Sequence, residues 1–133
     1  MNMIPNPNMI AREEAHRQIT DERRRQVTQE GWTPEHDDSH TEGELVDAAM
    51  VYYHVAIERI HWSRVLGRCS IWPWSLEWFK PWKKDLAAGE KVVDRRRCLV
   101  KAGALIRAER ERLVRIEERI VEAYVDLERE AGG

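Results

Sequence analysis

The sequence predicts an all-α protein: a small helical bundle with a Trp-rich loop and a long C-terminal helix, assembled as a homo-oligomer. Three observations carry this. Charged residues make up 35% and apolar residues 42% of the 133 positions, the profile of helical proteins with a large surface for their size. Val92, Leu99, Ile106, Leu113, Ile120 and Leu127 recur at seven-residue intervals, the period of a coiled-coil seam. Leu45, Ala48, Ala49, Tyr52, Ala56 and Ile60 keep spacings of three and four, which places one apolar face on a second helix.

The elements follow in order. Residues 1–9 hold two prolines and three asparagines and read as an irregular arm, leaving 10–133 as a single helical domain. From Ile10 to about Gln29 the residues favour helix, but Ala11, Ala15, Ile19 and Val27 give a thin apolar stripe, so this helix is expected at the periphery or against a partner. Gly31 and Pro34 stop it. Thr41 to Glu44 fits a capping box, in which the Thr hydroxyl accepts from the backbone three residues on and Glu44 reaches back to the amide of Thr41; the next helix is expected from there to about Leu66, before Gly67. "CSIWPWSLEWFKPWKKDL" follows, with Pro73 and Pro81 breaking helical geometry, and reads as an ordered aromatic loop. The last helix is expected over about 85–130. Ala102, Ile116 and Ala123 occupy its second heptad position, where Arg95 and Glu109 interrupt the row. Some 40 residues at 1.5 Å each reach about 60 Å, far beyond a compact chain of this length, whose radius of gyration is about 14 Å. Either the helix breaks near Gly103 or its far half packs against another chain.

Composition narrows the function classes. With 22 Lys+Arg against 24 Asp+Glu the chain has no general attraction for nucleic acid or for a membrane surface, and no sequence-specific DNA binding is indicated. No window of about 18 apolar residues and no leader pattern occur, so a soluble cytoplasmic protein is expected. Cys69 and Cys98 lack CxxC spacing; a disulfide between them and a reduced pair are both compatible with the sequence, the reduced state fitting that compartment. Nucleophile elbows, Gly-rich phosphate loops and zinc-finger spacings are missing, which removes ordinary hydrolases and kinases.

The densest chemistry lies in "EGWTPEHDDSHTEGEL", residues 30–45. His36 and His40 flank Asp37 and Asp38, and Glu44 and Asp47 share one face of the helix that follows. Imidazole with carboxylate suits a transition metal, and carboxylates alone suit Mg²⁺ or Mn²⁺, so His36, Asp38, His40, Glu44 and Asp47 form a candidate metal set. The same residues also suit a plain acidic lead-in that caps a helix and complements its dipole. Trp32 beside them offers a flat plate able to stack on a base, as do Trp74 and Trp78 from the aromatic loop. Asp47, His54, Glu58 and His61 form a polar line at helical spacing, which reads first as a solvated face. Arg95 and Arg96, with Arg97 and Lys101, present forked donors suited to phosphate oxygens, which Lys80, Lys83 and Lys84 could join. The candidate ligand-binding residues are thus Trp32, His36, Asp37, Asp38, His40, Trp74, Trp78, Arg95, Arg96 and Lys101; an enzyme would use Asp37 or Asp38 to orient a metal-bound hydroxide.

The run "ERRRQVTQEGWTPEHDDSHTEGELVDAAMVYY", then "WPWSLEWFKPW", then "RRRCLVKAGALIRAERERL" resembles a group of small proteins encoded by bacteriophages and prophages, over Glu22 to Leu113, with "GWTPEHDDSHTEGEL" its specific part. The resemblance implies a viral accessory protein in the bacterial cytoplasm that counters host defence, by sequestering a nucleotide-like signal or by binding a host defence protein, as an anti-CRISPR does. "EGELVDAA" is also similar, at Glu44 and Asp47, to the metal-binding helix of the all-α nucleotide pyrophosphohydrolases of the MazG type. The second acidic pair of that pattern has no counterpart in the last helix, although Glu90 and Asp94 lie nearby. A MazG-like hydrolase would have to draw on His36, Asp37, Asp38 and His40 instead.

Overall fold

The computed structural model describes residues 4, 6–58, 72–75, 78–79 and 92–132. Among them stand four helices and no strand: α1 (Pro7–Gln29), α2 (Pro34–Asp38), α3 (Glu44–Glu58) and α4 (Val92–Gly132). The expected helical stretch Arg59–Leu66, together with His61, Cys69, Lys80, Lys83, Lys84 and Glu90, lies outside the described residues.

The core is the seam between α3 and α4. Leu45, Ala48, Tyr52, Val55 and Ala56 of α3 are buried against Cys98, Ala102, Leu105 and Ala108 of α4. The alanines let two helix backbones approach closely, and the large side chains between them fill the remaining volume. Phe79 closes one end, and Trp32, Trp72 and Trp74 pack against the cluster from outside.

α1 is held differently. Its buried residues are Glu22, Arg23 and Gln26 rather than an apolar stripe, so ion pairs seat it on the bundle. It begins three residues earlier than the sequence indicated. Asn6 Oδ1 accepts from the Asn8 amide at 2.8 Å, and Pro7, which needs no amide partner, takes the first turn. At its other end Gly31 adopts φ +72, a left-handed conformation that glycine takes without steric cost, and the Trp32 amide donates back to the Gln26 carbonyl at 3.0 Å.

Two local features depart from expectation. The acidic stretch contains a short helix, α2, capped by Thr33, whose hydroxyl accepts from the His36 amide at 3.3 Å, with Pro34 at the first position. The capping box at Thr41 is replaced: α3 starts at Glu44 after Gly43, itself at φ +82, and Glu44 Oε1 accepts from the Glu42 amide at 2.5 Å. The left-handed turn at Gly43 separates Thr41 from the helix it was expected to cap, and frees the other Glu44 oxygen for His40.

α4 is a continuous helix of 41 residues, with no break at Gly103. That glycine sits where α1 crosses: a Cβ built on it would come within 2.5 Å of Ile19 Cδ1 and 2.8 Å of Cγ1. Gly103→Ala should be destabilising by about 1 kcal/mol despite its higher helix propensity, because Ile19 is crowded at Cγ1 as well as at Cδ1 and must leave its rotamer. Gly103→Leu should cost about 1–3 kcal/mol through overpacking, read by urea denaturation. The polar interruptions of the second heptad row are satisfied locally. Arg95 Nε donates to the Ala56 carbonyl at 2.7 Å, and Glu109 accepts from Arg112 at 2.6 and 3.0 Å.

Candidate functional site: an aromatic cavity beside the buried Arg23–Asp37 pair

The turn after α1 and the Trp loop meet over α3, and a ring of aromatic side chains forms between them. Trp32 stacks on His36 with ring centres 6.0 Å apart; His36 meets His40 at 4.8 Å; His40 meets Trp74 at 5.3 Å; Trp74 returns to Trp32 at 5.6 Å. These four rings, with Ser75 and the half-exposed Trp78, line a cavity of about 280 Å³. Small-molecule sites run from roughly 300 Å³ upward, so the space suits one flat ring system. Behind the cavity wall, Trp72, Tyr52 and Phe79 pack edge-to-face and stacked at 4.9–5.7 Å, which fixes the loop tryptophans.

The histidine in this ring is oriented. His40 Nδ1 lies 2.9 Å from Glu44 Oε2, while its Nε2 is buried and has no hydrogen-bond partner. With the proton on Nδ1 the ring donates to the Glu44 carboxylate, and this bond fixes the plane in which His40 forms one wall of the cavity. Burial pushes the Glu44 carboxyl up, but its bonds to His40 and to the backbone at Glu42 and Glu44 outweigh that and hold it below the usual carboxylate range.

The two aspartates between the histidines are engaged elsewhere. Asp37 is fully buried, with Oδ2 on the Arg23 guanidinium at 2.5 Å. Arg23 also reaches Glu111 at 3.0 Å and the Trp32 carbonyl at 3.2 Å, so one guanidinium ties α1, α2, α4 and the Trp32 turn together. Asp38 accepts from Arg115 at 2.9 Å, and that bond holds its carboxyl below its ordinary value. Asp37 and Asp38 thus build the frame of the cavity rather than line it. Among the described residues no three of His, Cys, Asp and Glu converge as a metal set: His40 meets His36 and Glu44, while Asp38 turns to Arg115.

The basic residues divide as well. Arg95 is spent on the Ala56 carbonyl, and Arg96 lines a groove with Pro7, Ile10 and Leu99 beside α1, so neither stands at the aromatic cavity. Lys101 does lie next to it: with Glu22, Arg25 and Glu30 it lines a cleft of about 20 Å³, room for a water molecule, that shares Trp32 and Trp78 as walls. Glu22 is buried and paired with Arg25 at 2.7 Å and Arg97 at 2.8 Å; burial raises its carboxyl, and the two guanidinium groups more than reverse this.

Burial pushes the Lys101 ammonium down to about 8, from 10.5. Below pH 8 both folded and unfolded chains carry this proton. Between about 8 and 10.5 the unfolded chain holds it and the folded chain does not, so this group makes stability rise with pH through that window. The wild type should gain stability relative to Lys101→Met between pH 7.5 and 10 in parallel urea titrations; a flat difference would contradict the placement of Lys101.

Arg23 is the organising residue that sequence reasoning missed. The only trace of it was an Arg run on a helix with almost no apolar stripe, facing an acidic turn. Comparison with models of known protein families, with curated proteins and with solved structures finds no match to the chain.

Proposed function

We propose that this protein is a binding protein that sequesters a nucleotide-like ligand, holding its base in the cavity walled by Trp32, His36, His40 and Trp74. The observation that carries this is the cavity of about 280 Å³ walled by the rings of Trp32, His36, His40 and Trp74. Aromatic walls bind the faces of a heterocycle, and a nucleobase is a flat ring system of the size this space admits. With the resemblance to phage-encoded accessory proteins, this supports a counter-defence role by capture of a nucleotide signal.

The hydrolase reading needs its carboxylates available to metal ions. Asp37 and Asp38 are bonded to guanidinium groups and Glu44 to a histidine, so the geometry favours binding without turnover. The test is a thermal-shift panel of nucleosides, nucleotides, cyclic nucleotides and ADP-ribose with Mg²⁺ or Mn²⁺, followed by chemical identification of the ligand after denaturation. Stabilisation with the ligand recovered intact is expected. Recovery of a cleaved ligand would establish the hydrolase. No shift with any compound would turn attention to the exposed Trp78 as a protein contact.

A further inference from the structure

The aromatic cavity has an electrostatic character that the binding of a neutral base does not use. The described side chains that line it, Trp32, His36, His40, Trp74, Ser75 and Trp78, include no lysine, arginine or carboxylate. The charge lies one layer back, and on the histidine side it is negative. Glu44 Oε2 is 2.9 Å from His40 Nδ1, and Asp37 Oδ1 is 3.8 Å from His36 Nδ1. Asp37 is fully buried, and this oxygen accepts no hydrogen bond among the described residues. Arg23, on the other Asp37 oxygen, is shared with Glu111, so two carboxylates meet one cation there. Glu44 bonds to His40 and to the Glu42 amide, and to no lysine or arginine among the described residues. Lys101 and Arg25 belong to the separate cleft that shares Trp32 and Trp78 as walls, and in it Arg25 is paired with Glu22 and Glu30.

Indole faces carry the negative part of the ring quadrupole and attract cations, and a carboxylate beside an imidazole makes that ring more electron-rich. The walls therefore favour a positively charged occupant over a neutral one of the same shape. Their angles say what shape that is. Trp32 and His36 are near-parallel at 18° with centres 6.0 Å apart, whereas two rings with a base between them stand about 7 Å apart, twice the contact distance of carbon atoms. This pair does not sandwich a base. Trp74 is inclined at 65° to Trp32 and at 57° to His40, so a base stacked on one indole turns its edge toward the other. An edge that carries a methyl group on a positively charged ring nitrogen gains from that second face by contact and by charge; a neutral edge gains by contact alone.

We propose that the base this cavity prefers is a cationic purine, methylated on a ring nitrogen so that its positive charge is spread over the plane, as in 1-methyladenine or 7-methylguanine. The inference rests on the base-binding reading above and names the class of base within it. Its test is isothermal titration calorimetry of the full chain at pH 7 with AMP, N6-methyl-AMP and 1-methyl-AMP. The two methylated compounds are isomers with the methyl on the same edge of adenine, and 1-methyl-AMP alone carries its base as a cation. 1-Methyl-AMP is expected to bind at least fivefold more tightly than either of the others. A smaller preference, with all three bound, would overturn the inference and leave base binding standing; no binding of any of them at millimolar concentration would remove both. Tetramethylammonium, a cation without a plane, is expected to leave bound 1-methyl-AMP in place at equal concentration. Its displacing the nucleotide would mark a cage for ammonium groups and overturn the inference.

Discussion

Asp37→Asn is expected to lower the unfolding free energy by about 3 kcal/mol or more, a large share of the 5–15 kcal/mol that holds a domain folded. The variant keeps the shape of the side chain and removes the charge. Arg23, almost as deeply buried, would then keep its cation with only Glu111 at the edge of the pair to balance it. Buried ion pairs are costly to form but costlier to break from one side, because the remaining charge has lost its contact with water. Asp38→Asn makes the contrast: its bond to Arg115 lies near the surface, and the midpoint in urea should scarcely move. Equal effects from the two variants would show that Arg23 finds a substitute partner.

The second large effect concerns the cavity. Trp74→Ala removes a wall that touches both Trp32 and His40, and Trp32→Ala removes the plate on which a base would stack. Stacking of a base on an aromatic side chain contributes about 1–3 kcal/mol, so each variant should weaken nucleotide binding roughly tenfold or more. Arg96→Ala serves as the control. Its guanidinium lines the groove beside α1, and binding should be unchanged within twofold despite its suitability for phosphate when read from sequence. Thermal midpoints of the unliganded variants separate a lost contact from a lost fold.

How much of this was legible in the sequence depends on the range of the interaction. The face of α3 and the seven-residue row of α4 are repeating local patterns, and within the described residues both helices lie inside the spans that periodicity indicated, to within two or three residues at the ends that are described. The juxtaposition of Trp32 with His36 follows from four residues of separation around a turn, and it too was within reach. What could not be read was the partner of each charge. "RRR" at 95–97 and "ERRR" at 22–25 are alike in composition, yet Arg23 is a buried hub and Arg96 is on the surface, because the packing of α1 against α4 decides which guanidinium is covered. The same holds for Asp37 and Asp38, adjacent in sequence but one fully buried and the other half-buried, since the helix turns one inward and the other toward Arg115. The short helix α2 did announce itself through Thr33, Pro34 and Glu35, a cap, a first-position proline and an acid in the first turn. It was obscured by the metal-like look of the residues it carries.

The most direct test of the binding claim is a two-dimensional NMR titration of ¹⁵N-labelled protein with AMP, GMP and ADP-ribose, following tryptophan indole and histidine ring signals. The expected result is saturable shifts at the indoles of Trp32 and Trp74 and at the His40 ring, with the backbone of α4 beyond Arg119 unmoved. Saturable shifts confined to the groove beside α1, or an unchanged spectrum with every compound at millimolar concentration, would contradict it.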